Sequence, residues 1–160
     1  VLSGHGIAGA GVETDAIRPV EAGDRAEWAE LYRGYRAFYD MEPDEAVVDT
    51  VWGWLMDDAH ELQGLVATDG GRPVALANWR RFSRPSRGRT AIFLDDLYTR
   101  PDARGAGHGS ALIARLQRIA RDEGLSEVRW ITGETNTGAQ RLYDRIAERS
   151  PFLTYIAPPR

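Results

Sequence analysis

The stretch from Thr90 to Gly124 limits the possible folds more than any other part of the chain. Its opening, "TAIFLDDLYT", sets β-branched and aromatic residues around two adjacent carboxylates, Asp95 and Asp96, and reads as a strand. "RPDARGAGHG" follows, with Gly105, Gly107 and Gly109 in alternation. Leu112, Ile113, Leu116, Ile119 and Ala120 then recur on one helical stripe, with Arg115, Arg118 and Arg121 outside it and Gly124 as the stop. A strand that feeds a helix through bare glycines presents main-chain N–H groups at the positive end of the helix dipole. That arrangement binds anions, and phosphate above all.

The flanking pattern places this unit in a mixed α/β sheet. "DAIRPV" reads as a short strand. Trp28, Leu31, Tyr35, Phe38 and Tyr39 predict a helix from Asp24, its expected N-cap. Met41-Glu42-Pro43 breaks it, and Asp44 opens a second helix with Val47, Val48, Val51, Trp52 and Leu55. "LQGLVAT", "DGGR" and "PVALANWRRF" predict a hairpin, and "SRPSRGR" a loop. Beyond the glycine unit come a strand "EVRWIT", a helix over 137–149 and a last strand "PFLTYI". Absence of any repeat or linker predicts one domain over residues 15–160, behind a flexible tail over residues 1–14.

Composition narrows the chemistry. With no Cys, disulfides, thiolate metal sites and a thiol acyl-enzyme are all ruled out. All 20 basic side chains are Arg, a usage expected of a GC-rich bacterial gene, so no Lys can form a Schiff base. Net charge of −4 argues against nucleic-acid binding. No run reaches the roughly 18–20 apolar residues of a membrane span, and no secretory leader is read in "VLSGHGIAGAG", so a cytoplasmic protein is expected. Residues 21–61 carry twelve acidic side chains against Arg25, Arg33 and Arg36. Residues 100–121 carry five Arg against Asp102. Two solvated helix faces would give that asymmetry, as would one end built for a cation and another for a polyanion. The three histidines, His5, His60 and His108, suggest no ligand set, so no metal is expected.

Two familiar glycine-loop chemistries fit poorly. A nucleoside-triphosphatase loop needs Gly-Lys-Ser/Thr. A dinucleotide fingerprint would need a third glycine where Ser110 stands, and an early strand–helix–strand unit. "RGAGHG" instead resembles the R-x-x-G-x-G motif of the GNAT superfamily of N-acetyltransferases, and "LDDLYTRPDARGAGHG" is similar to that motif's setting in the diamine (spermidine/spermine or thialysine) branch. "NTGAQRLY" resembles the superfamily's second signature, with Asn136, Ala139 and Tyr143 in place. The likeness spans about residues 16–156.

The resemblance implies a mostly antiparallel sheet of about six to seven strands flanked by helices, with splayed central strands. It implies acetyl-CoA as cosubstrate, held along Leu97, Tyr98 and Thr99 and wrapped at its diphosphate by Arg104, Gly105, Ala106, Gly107, His108, Gly109 and Ser110. Asn136 and Ala139 fall on its cofactor side. Tyr143 matches the tyrosine that protonates the departing thiolate, though its stripe with Ala139, Leu142 and Ile146 also suits a core position. Asp95 falls where relatives place a glutamate beside the acceptor amine. A strand's alternation predicts that Asp95 and Asp96 face opposite ways, so only one reaches a cleft.

Tyr39, Asp40, Trp130 and Tyr155 fall at acceptor-side positions, where aromatic faces and a carboxylate suit an alkylammonium. Ordinary packing or a turn would also explain each of them, and Asn136 could simply cap a helix. The implied reaction is acetyl transfer to a small-molecule primary amine by direct attack in a ternary complex, in a homodimer. An acyl-CoA-binding module without catalysis and a protein lysine acetyltransferase are the alternatives.

Overall fold

The computed structural model describes residues 16–160; the tail expected over residues 1–14 lies outside them. These divide into two compact units, the first ending at Trp130 and the second running from Ile131 to Arg160.

The first unit holds a five-stranded sheet of β1 (Ile17–Pro19), β2 (Gln63–Asp69), β3 (Arg72–Arg84), β4 (Arg89–Thr99) and β5 (Val128–Arg129), in that spatial order. Neighbours run antiparallel except β4 and β5, which are parallel. The helices are α1 (Arg25–Phe38), α2 (Glu45–Met56) and α3 (His108–Asp122). β3 is buried continuously from Pro73 to Trp79. Such an unbroken run means that both faces of the strand are covered.

On one face, Trp28, Leu31 and Tyr32 of α1 and Val48 and Val51 of α2 pack with Val66 and Leu76. Each fully buried aliphatic or aromatic side chain there contributes roughly 1.5–3 kcal/mol. On the opposite face lies α3, whose buried stripe is Leu112, Ile113, Leu116 and Ala120. Asp44 caps α2 by accepting from the N–H groups of Ala46 (2.9 Å) and Val47 (3.2 Å). Asp24 stands at the N-cap of α1 but does not cap with its side chain. Its carboxylate takes both guanidinium nitrogens of Arg18 (2.7 and 2.8 Å) and the Glu21 N–H (2.9 Å) instead.

Three expectations need correction. "SRPSRGR" is not one loop: β3 runs on to Arg84, and only Pro85–Gly88 turns, with Gly88 at φ 57. The strand expected over 127–132 is two residues long. β5 pairs with β4 through Val128 with Ile92 and Arg129 with Phe93, and the ladder ends there. Residues 151–156 form no strand, and Phe152, Leu153, Tyr155 and Ile156 are exposed. A strand needs a ladder partner, and among the described residues nothing pairs with that segment. The sheet is therefore the mixed, mostly antiparallel one expected, with five strands instead of six to seven.

The second unit contains α4 (Thr137–Ile146). Asn136 is its N-cap, with Oδ1 accepting from the Ala139 N–H at 3.4 Å.

Candidate active site

The glycine loop adopts the conformation its composition calls for. Gly105 (φ 85) and Gly107 (φ 88) lie in the left-handed region, and a Cβ at either would meet nothing within 4 Å. Gly109 has no such need: it belongs to α3, and its Cβ would make an ordinary 3.9 Å contact with Leu97 Cδ2. Gly107 caps α3 without a side chain, and the first backbone bond of the helix runs from Ala111 N to the Gly107 carbonyl (3.0 Å). The N–H groups of His108, Gly109 and Ser110 are thus left over by the helix, at its positive end. His108 is buried, and its Nδ1 has no hydrogen-bond partner.

Arg104 is engaged at the edge of the loop. Its Nε donates to the Thr99 carbonyl (3.0 Å), and its guanidinium lies over the rings of Tyr98 (5.4 Å) and Phe38 (5.7 Å). Tyr98 in turn fills the space beside Gly34 of α1, where a Cβ would stand 2.5 Å from the phenol oxygen. On the side of β5, no strand pairs with β4 beyond Phe93 among the described residues. Leu97, Tyr98 and Thr99 therefore present that edge without a ladder.

The two carboxylates do not alternate. The β3–β4 register pairs Asn78 with Asp96 and Trp79 with Leu94, so Asp95 is an extra residue, a β-bulge. Asn78 and Arg80, two apart on β3, share a face. Asn78 Nδ2 donates to Asp96 Oδ2 (2.9 Å), and Arg80 Nε lies 3.1 and 3.3 Å from the Asp95 oxygens. Both acids consequently lie on the face covered by α1, where Tyr35 interacts with Asp96. The expectation of opposite faces fails because the bulge resets the alternation.

Burial raises both carboxyls above the ordinary value. Arg80 opposes the rise at Asp95, and Asn78 and Tyr35 oppose it at Asp96. Burial, with the charge of Asp96, also raises the Tyr32 and Tyr35 phenols.

An aromatic ladder climbs α1 toward these groups. Trp28 stacks on Tyr32 (4.9 Å), Tyr32 on Tyr35 (5.9 Å), and Tyr39 tilts against Tyr35 (5.1 Å). Asp40 follows in the left-handed region (φ 53), exposed at the end of the helix. Trp130 comes directly after β5 and is half-buried.

The first unit thus holds Tyr39, Asp40, Asp95, Leu97 to Thr99, Arg104 to Ser110 and Trp130. Asn136, Ala139, Tyr143 and Tyr155 belong to the second. There Tyr143 is half-buried on α4, and Tyr155 is 89% exposed in a segment without regular structure. Sequence reasoning missed Tyr35, Asn78 and Arg80, the partners of the acidic pair. Two like charges side by side in a strand were the available sign of a bulge. Among the described residues, no three His, Asp or Glu side chains gather closely enough to hold a metal ion. Nor is any helix there long and apolar enough to cross a membrane.

Known proteins resemble this chain in sequence and in fold. A D-amino-acid N-acetyltransferase of Saccharomyces cerevisiae is 26% identical over 141 residues, 87% of this chain and 88% of its own length. A thialysine N-epsilon-acetyltransferase of Bos taurus is 39% identical over 52 residues, 32% of this chain and 31% of its own length. In fold, the chain is similar to a ribosomal-protein-alanine N-acetyltransferase of Brucella melitensis. The TM-score is 0.75 at 24% identity, covering 90% of this chain and 98% of that one. An aminoglycoside N-acetyltransferase solved with CoA superposes with TM-score 0.73 at 20% identity, covering 89% and 93%. Residues 27–147 match the model of the acetyltransferase (GNAT) family, and the chain belongs to that family of N-acetyltransferases.

Proposed function

We propose that this protein transfers the acetyl group of acetyl-CoA to the primary amine of a small molecule, by direct attack within a ternary complex. One observation carries the acceptor side: the bulge at Asp95 sets two carboxylates on the α1 face of β4, beside the Tyr35–Tyr39 aromatics. Carboxylates and aromatic faces together suit an alkylammonium. The same strand leads into the uncapped amides of α3, which suit a diphosphate. Membership of the acetyltransferase family supports acetyl-CoA as the donor. The likeness to D-amino-acid and thialysine acetyltransferases supports a small amine of amino-acid type.

In this reading the amides of Ala106 to Ser110 hold the diphosphate. A main-chain N–H among Leu97 to Thr99 polarises the acetyl carbonyl as negative charge grows on its oxygen. The amine loses its proton to a carboxylate and attacks the carbonyl carbon. Tyr143 gives its proton to the departing thiolate, and transfer from a phenol to a thiolate of comparable basicity is close to balanced. Asn136 and Ala139 complete the cofactor side. Tyr39, Asp40, Trp130 and Tyr155 are the proposed acceptor contacts, and the active species is a homodimer.

The test is a panel of amines with acetyl-CoA, scored by thiol release and by mass of the product. Diamines, polyamines, amino acids, aminoglycosides and a lysine peptide should separate, with a small primary amine turned over best. Tyr143→Phe should lower kcat by roughly 10²-fold or more with little change in the KM of the amine. Acetyl-CoA binding without turnover of any amine would instead fit an acyl-CoA-binding module. Preference for the peptide would fit a protein lysine acetyltransferase.

A further inference from the structure

The two carboxylates share a face but not an electrostatic situation. Asp95 is ion-paired with Arg80 at 3.1 Å, and both side chains are about one-third exposed or less (27% and 33%). A proton arriving on Asp95 would cancel that charge-assisted contact and leave Arg80 without its acid. Among the described residues, the neighbours of Asp96 at bonding range are neutral, the Asn78 amide and the Tyr35 hydroxyl. Protonating Asp96 strands no cation.

The neighbours of Asp96 also suit both of its protonation states. A hydroxyl donates and accepts, so Tyr35 can donate to the carboxylate or accept from the acid. Asn78 is wholly buried; its Nδ2 donates to Asp96 while its Oδ1 has no partner. An orphaned buried acceptor costs about 1–3 kcal/mol. Turning the Asn78 amide over presents Oδ1 to a protonated Asp96 at the same place. The titratable groups that feel this carboxylate are Tyr32 and Tyr35 from α1 and Asp95 from β4, while Arg80 from β3 bonds to Asp95.

We propose that Asp96, and not Asp95, takes the proton from the acceptor ammonium, with Tyr35 and Asn78 as its positioning residues. The proposal rests on the acetyl-transfer reading above. In the step, one N–H bond of the ammonium breaks and an O–H bond forms on Asp96. The nitrogen keeps the electron pair and directs it at the acetyl carbonyl carbon. Burial, which raises the Asp96 carboxyl, brings it closer to the amine in basicity. Asp95 is then the bulge residue whose pairing with Arg80 fixes the turn of β4.

The experiment measures kcat/KM for the best amine as a function of pH, for wild type, Asp95→Asn, Asp96→Asn and Tyr35→Phe. Asp96→Asn should lose roughly 10²-fold or more at neutral pH and recover as pH approaches the amine's own pKa of about 10. Asp95→Asn, which also leaves Arg80 without its acid, should keep a base-dependent acid limb, and whatever activity it loses should not return as the pH is raised. Tyr35→Phe should shift the acid limb of the profile without changing the KM for acetyl-CoA.

A pH-rescued loss in Asp95→Asn with a wild-type profile in Asp96→Asn would overturn the assignment. So would a pH-independent loss in Asp96→Asn. A second measurement needs neither turnover nor the Asp96 variant. Carboxyl-carbon NMR on wild type, assigned with Asp95→Asn, should show Asp96 titrating above Asp95, and the reverse order would sink the proposal. If wild type acetylates no amine while this order holds, it is the acetyl-transfer reading that has failed.

Discussion

Substituting alanine at Gly107 and at Gly109 should move stability in opposite directions, although both glycines belong to one motif. Gly107 sits at φ 88 and ψ 13. A residue with a Cβ in that region costs roughly 1–2 kcal/mol of backbone strain. Lower entropy of the unfolded chain returns about 0.5–1 kcal/mol of this. No atom lies within 4 Å of the new Cβ, so no clash is added. The net is a loss of about 1 kcal/mol, or about 2–4 °C in Tm for a chain of this size.

Gly109 is helical, and its Cβ would land 3.9 Å from Leu97 Cδ2. Gly109→Ala should therefore gain about 0.5–1 kcal/mol. The assay is urea unfolding followed by tryptophan fluorescence. All five tryptophans (Trp28, Trp52, Trp54, Trp79 and Trp130) lie in the unit that carries the loop. Equal stabilities, or Gly109→Ala less stable than Gly107→Ala, would refute the conformational account of the loop.

Two further outcomes follow from particular contacts. Gly34→Ala, in the interior of α1, should destabilise where a helical glycine ordinarily gains. Its Cβ meets the Tyr98 phenol at 2.5 Å, and displacing Tyr98 disturbs the Arg104 that lies on it. Acetyl-CoA affinity should fall with stability, as read by calorimetry. Arg18→Met should cost about 2 kcal/mol at neutral pH by removing charge-assisted bonds to Asp24. Hydrogen bonds from Arg18 hold the Asp24 carboxyl below its ordinary value. Its contribution is therefore full above the unfolded value of about 3.9 and fades as pH falls through the lower folded one. Melting curves of wild type and variant should converge in strong acid, and a constant gap would contradict this.

Much of the fold was legible because its elements carry strong local signals. The stripes Trp28–Tyr39 and Leu112–Ala120 and the cap at Asp44 report themselves through spacing alone. What could not be read depends on partners distant in sequence. Asp24 looks like a cap until Arg18 claims it. "EVRWIT" and "PFLTYI" have strand composition, but a ladder forms only where a second strand stays alongside. The glycine loop was readable in the same way, since two of its glycines need a positive φ. The acidic site was not. The register shift between Asn78 and Trp79 decides which way Asp96 points, and Arg80 decides what charge Asp95 sees.

The central claim is that the uncapped main chain opening α3 grips the diphosphate of the acetyl donor. Calorimetric titration of the folded chain with acetyl-CoA and with S-acetylpantetheine, which lacks the diphosphate, tests this directly. Acetyl-CoA should bind at least about tenfold more tightly, a difference of about 1.4 kcal/mol, and the gap should shrink in Gly107→Ala. Equal affinities, or no binding of acetyl-CoA at all, would contradict the account.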